Sequence, residues 1–80
     1  MKTEDYLFGK MVPVLSKALD LNEKYIGLDA AMGVTEKWDS FGQLNLVLLI
    51  ENEFEVSIPD DLVSSLTSLK GIISWLMLQP

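Results

Sequence analysis

Ser40 has the most chemistry to offer, and its neighbours say of what kind. It follows Asp39 and opens an apolar stretch that reads as a helix from residue 40 to about 54. Asp39 is suited to cap that helix, because its carboxylate accepts hydrogen bonds from first-turn amides and its charge matches the positive end of the dipole. A hydroxyl in that turn lies where open amides and the dipole stabilise an anionic phosphate ester, by ~0.3–1 kcal/mol at an exposed site. The chain has no histidine and no cysteine, so no obvious base activates Ser40 as a nucleophile. The same absence excludes thiolate chemistry, disulfides, an imidazole base and the usual zinc site. Ser40 is therefore either an alternative helix cap or a position that another enzyme modifies.

The carboxylates point to partners more than to catalysis. Twelve acidic residues stand against six basic ones, all lysine, for a net charge of −6. Residues 20–61 hold ten of the acids against Lys24 and Lys37, so a charged partner docking there should be basic. Without arginine to fork onto phosphates, nucleic acid is not an expected partner. Paired acid/base work needs a cleft separating two environments. Eighty residues, 49% of them apolar, make one domain over 1–80 with a single core and no room for such a cleft, so no enzyme is expected. Asp60 and Asp61 lack the Asp-x-Asp-x-Asp-Gly spacing of calcium loops, and no metal site is expected. The opening MKTEDYLFGK contains no apolar stretch of the kind secretion signals use. The run over residues 44–50 is about a third of the ~20 residues a membrane span takes. The expected setting is the cytoplasm.

The elements that must position Ser40 are helical. Tyr6, Leu7, Met11, Val14, Leu15, Ala18 and Leu19 recur at three- and four-residue intervals and predict a helix over residues 3–19, kinked or restarted near Val12 by Pro13. Residues 20–39 read as a long loop anchored by Leu21, Ile26, Leu28, Met32, Val34 and Trp38, with a turn of helix around 22–27. After the helix at 40–54, Pro59 starts a short helix reaching Ser64 or Ser65. Thr67 or Ser68 caps a last helix through Met77. The expected fold is all-α: three longer helices, one short one and a long loop between the first and second.

The helix at 40–54 carries two apolar stripes. Leu46, Val47, Ile50 and Phe54 form one, an ordinary core face. Phe41, Leu44 and Leu48, flanked by Glu51 and Glu55, form another. This second stripe is core if the helix is surrounded, or a docking surface for basic, partly hydrophobic partners if it is not. Residue types alone leave both open.

Trp38-Asp39-Ser40-Phe41-Gly42, followed by QLNLVLLIENEFEVSIPDDLVSSLTSLKGIISWL, resembles an acyl carrier protein over residues 5–77. The signature is Asp-Ser-(Leu/Phe/Met) opening the second helix, a Glu-x-Glu-Phe run at its end, Ile-Pro-Asp, and Leu66-Thr67-Ser68-Leu69 before the last helix. The resemblance implies a four-helix bundle whose Ser40 receives 4′-phosphopantetheine from coenzyme A through a phosphopantetheinyl transferase, with Asp39 helping to place the hydroxyl. The imported thiol would carry acyl groups as thioesters between enzymes of fatty-acid, polyketide or related specialised biosynthesis. It further implies that Phe41, Leu44, Leu48, Glu51 and Glu55 face acyl-activating, acyltransferase or synthase enzymes bearing basic patches. Leu46, Val47, Ile50, Phe54, Ile58, Leu66, Ile72, Ile73 and Leu76 would line the core or an acyl-sheltering pocket. The carrier itself would be a monomer.

Carriers of general fatty-acid synthesis typically have acids two and five positions after the serine, where this chain has Gly42 and Asn45. The resemblance is thus nearer to stand-alone carriers of specialised pathways with a narrower set of partners. Gly42 reads as leaving space beside the arm. Two other readings are an aminoacyl or peptidyl carrier, against which the aspartate before Ser40 argues, and an unmodified helical interaction module.

Overall fold

The computed structural model describes residues 3–80. Its first helix, α1 (Glu4–Leu19), begins at Thr3, whose hydroxyl accepts the Tyr6 amide at 3.1 Å. It runs through Pro13 as one helix, so of the two expectations there, a kink or a restart, the restart is not met. Pro13 and Gly9 are both exposed, so the Gly9 carbonyl, which loses its helical donor at proline, faces water instead of a dry interior. Leu7, Met11, Val14, Leu15 and Leu19 are buried, whereas Tyr6 of the same predicted stripe is exposed.

Residues 20–39 then cross the bundle as a loop containing one 3₁₀ turn, Glu23–Tyr25, capped by Asn22. Ile26, Ala30 and Trp38 are its buried anchors. Leu28 and Val34, expected as anchors too, are exposed; they sit where the loop turns back on itself, around the positive-φ Gly33 in the case of Val34. Two backbone bonds pin the loop to the far end of the chain: Met32 N to Thr67 O at 2.8 Å and Leu69 N to Ala30 O at 2.9 Å. They make an isolated antiparallel bridge between Ala31 and Ser68. At the neck of the loop Lys37 Nζ donates to the Asp20 carbonyl at 3.0 Å.

The second helix, α2 (Ser40–Phe54), spans the expected residues, with Leu46, Val47 and Ile50 in the core. Phe54, expected beside them, is half-buried near the helix end. The short α3 (Asp60–Val63) has no buried residue and no side-chain cap. The last helix, α4 (Leu69–Met77), is capped by Ser68, whose hydroxyl accepts the Gly71 amide at 3.0 Å. Both α2 and α4 pack on α1, while α3 touches α2. The architecture is all-helical, as expected, and among the described residues no helix is long and apolar enough to cross a membrane.

Two features of α2 fix how the loop meets it. A Cβ on Gly42 would lie 2.5 Å from the Lys37 carbonyl oxygen and 2.9 Å from Leu19 Cδ2, so this glycine lets the loop backbone close against the helix. The other feature is Gln43, buried one residue on. Its Oε1 accepts the Trp38 indole N–H at 2.7 Å, and its Nε2 donates to Val63 O at 2.7 Å and Leu66 O at 2.8 Å. One amide thereby ties the loop, α2 and the turn after α3 together, with each of its polar groups satisfied.

Opposite outcomes are expected at two helical glycines. Gly42→Ala should lose ~1–3 kcal/mol by overpacking, although alanine is the better helix former. Gly9→Ala, with nothing within 4 Å of the new carbon, should gain up to about 1 kcal/mol. Urea unfolding of the pair decides, and shifts of the same sign would contradict the packing at Gly42. Gln43→Met keeps the shape but strands the indole N–H and two carbonyls, and should cost at least ~2 kcal/mol in the same measurement. That remains within the ~5–15 kcal/mol stability of a typical domain.

Candidate functional site at the start of α2

Asp39 leaves the loop in an extended conformation and caps α2 as its sequence suggests: the carboxylate accepts the Gly42 amide at 2.9 Å and the backbone carbonyl accepts the Gln43 amide at 2.8 Å. Ser40, the first residue of the helix, is exposed. Its hydroxyl makes no hydrogen bond to any described residue, so it is neither buried nor used as a cap. Beside it lies an open groove lined by Met32, Gln43, Leu44, Val63 and Ser64. The groove is mostly apolar, with Ser40 and Ser64 at its polar margin.

Phe41, Leu44 and Leu48 are 74%, 57% and 65% exposed. The second apolar stripe is therefore outside the core, as it has to be once α1 and the chain after α2 have taken the first. The strip and the serine share the amino-terminal half of α2, which has no acid in its first turn. On the flank of Phe41 the neighbouring groove is lined by Ala18, Asp20, Lys37 and Asn45, so its charges are mixed.

The expected acidic border is less uniform than its sequence suggests. Glu51 is half-buried and turns Oε2 inward to accept the Ile58 amide at 2.8 Å, bracing the segment that follows α2. Glu53 pairs with Lys10 of α1 at 3.4 Å. Glu55 is exposed at the left-handed carboxyl cap of α2, with φ of 54°. Of the five residues expected to face partners, Phe41, Leu44, Leu48 and Glu55 present themselves outward, and Glu51 has one carboxylate oxygen committed within the fold.

Gly42 needs a correction. It was expected to clear space beside an arm on Ser40, but it is buried and faces Lys37 and Leu19. Its missing side chain makes room for the chain's own loop. Gln43, which sequence reasoning passed over, is the one buried polar residue among those described. Its signal was present: it shares a helical phase with Leu46, Val47 and Ile50, where an amide has to find partners.

No family model matches the chain. Curated relatives do, over nearly all of it. An acyl carrier protein of Phaeodactylum tricornutum is 28% identical over 69 residues, covering 86% of this chain and 91% of its own. One of Guillardia theta is 26% identical over 73 residues, covering 91% and 90%. One of Rickettsia canadensis is 25% identical over 76 residues, covering 95% and 88%. Similar over most of its length to proteins of this name from algae and bacteria, and folded as a helical bundle with a serine open at the head of α2, the chain is acyl-carrier-protein-like.

Proposed function

We propose that the chain is a non-enzymatic carrier that bears 4′-phosphopantetheine on Ser40 and passes acyl groups between enzymes. The observation that carries this reading is the exposed, uncommitted Ser40 hydroxyl at the capped first turn of α2. The residues there suit the arm. The hydroxyl is open to an attaching enzyme, the amino end of α2 favours a phosphodiester's negative charge, and the groove beside it offers apolar walls.

In the attachment step the Ser40 oxygen bonds to the phosphorus of coenzyme A that bears the pantetheine. The serine gives up its proton, and adenosine bisphosphate leaves. The base comes from the transferase, since this chain has no histidine and Asp39 is engaged with Gly42. Asp39 acts by fixing the first turn and hence the direction in which the hydroxyl points. Once bound, the arm would supply the thiol that the chain lacks, as the point of thioester attachment. Phe41, Leu44 and Leu48 would seat in apolar depressions of partner enzymes, and Glu55 with the acids beyond α2 would meet basic patches at the rim. The thin charge around Ser40 favours a carrier for a specialised pathway with few partners.

Incubation with coenzyme A and a broad-specificity phosphopantetheinyl transferase should add the mass of one arm to the wild type and nothing to Ser40→Ala. No gain, or an equal gain in both, would reject the reading. Light scattering should give the mass of one chain, the exposed strip being kept for partners; a tight dimer burying it would favour an unmodified interaction module.

A further inference from the structure

The polar strap at Gln43 bears on what happens to the cargo. Gln43 lies three residues after Ser40 and lines the same groove, yet is only 3% exposed. From α2 its amide reaches Val63 O and Leu66 O on one side and receives the Trp38 indole on the other. These bonds cross between α2 and the α3 region at the groove beside Ser40, on the route by which an acyl chain at the end of an arm folded back along that groove would enter the interior. Behind them Trp38 and Leu46 are packed without solvent contact worth a water molecule, at 1% and 0% exposure. An apolar chain taking that route displaces the amide and leaves an indole N–H and two carbonyls in a dry interior, where they have no alternative partners.

We propose that Gln43 bars acyl cargo from the core, so that a group carried on Ser40 stays in the surface groove of Met32, Leu44 and Val63, open to water and to partner enzymes. This rests on Ser40 carrying the arm. It makes Gln43 a specificity-determining residue. With the interior closed to it, a longer apolar tail finds no dry seat, so the carrier suits short or polar acyl groups.

The test loads the whole chain with acetyl and with octanoyl arms, using the transferase and the two acyl-coenzyme A thioesters. It then follows thioester cleavage by hydroxylamine through intact mass, and the indole N–H resonance of Trp38. In the wild type the two cleavage rates should agree within about twofold, and the Trp38 signal should be the same for both cargoes. Octanoyl cleaved about tenfold more slowly than acetyl, or a displaced Trp38 signal, overturns the inference while leaving the carrier reading intact. Failure of both acyl-arms to load overturns the carrier reading and this inference with it. In Gln43→Met the route is apolar, and octanoyl should become protected relative to acetyl. A folded variant without that protection overturns the assignment to Gln43, and if the variant does not fold the wild-type ratio decides alone.

Discussion

A single buried amide organises the end of the molecule that matters. Water would satisfy the Gln43 side chain fully, so burying it is favourable only if every donor and acceptor finds a partner of good geometry. It does so by drawing on three separate stretches of chain: Trp38 from the loop, its own place on α2, and the carbonyls of Val63 and Leu66. No one of these can shift without stranding a polar group in a place water does not reach. Apolar contacts tolerate sliding, whereas this junction does not. The register of the loop against α2, and with it the position of Ser40, is specified by hydrogen-bond geometry as well as by packing.

Given that junction, the division of α2 into two faces follows. Leu46, Val47 and Ile50 are enclosed by α1 and by the chain after α2, each burial being worth roughly 1.5–3 kcal/mol to the fold. The face of the helix that carries Phe41, Leu44 and Leu48 is left uncovered. Its exposed Phe41, Leu44 and Leu48 are then a contiguous apolar surface next to an accessible hydroxyl. An isolated exposed leucine means little on a protein surface, whereas three large apolar side chains in register along one helix are what supports the proposed docking of partners there.

Much of this was legible in the sequence because it is written in local rules. The limits of α2, the Asp39 and Ser68 caps and the 3₁₀ turn after Asn22 all follow from side chains acting on backbone groups within three residues. The two stripes could be read from helical period, but not which would be covered, because that depends on where α1 and α4 pack. The long loop was the least readable part. Leu28 and Val34 look like Ile26 and Trp38 in composition, and only tertiary placement separates the exposed pair from the buried one. Of the two readings of Pro13, a kink or a restart, only the restart is set aside, since the cost of proline falls when the orphaned carbonyl faces solvent. Gly42 was recognised as unusual, but the partner its missing side chain accommodates is Lys37, five positions earlier in a loop without a readable period. Around the serine itself, the capping aspartate was plain, while the inward turn of Glu51 toward Ile58 depends on the path of the chain beyond α2.

The bridge between Ala31 and Ser68 extends these dependencies along the whole polypeptide. The stretch leading into Ser40 is seated in part on backbone atoms that immediately precede α4, so its placement depends on residues 67–69 being packed. The placement of Ser40 is in this way linked to the seating of α4, and anything that unseats that helix is felt at a residue far from it in sequence.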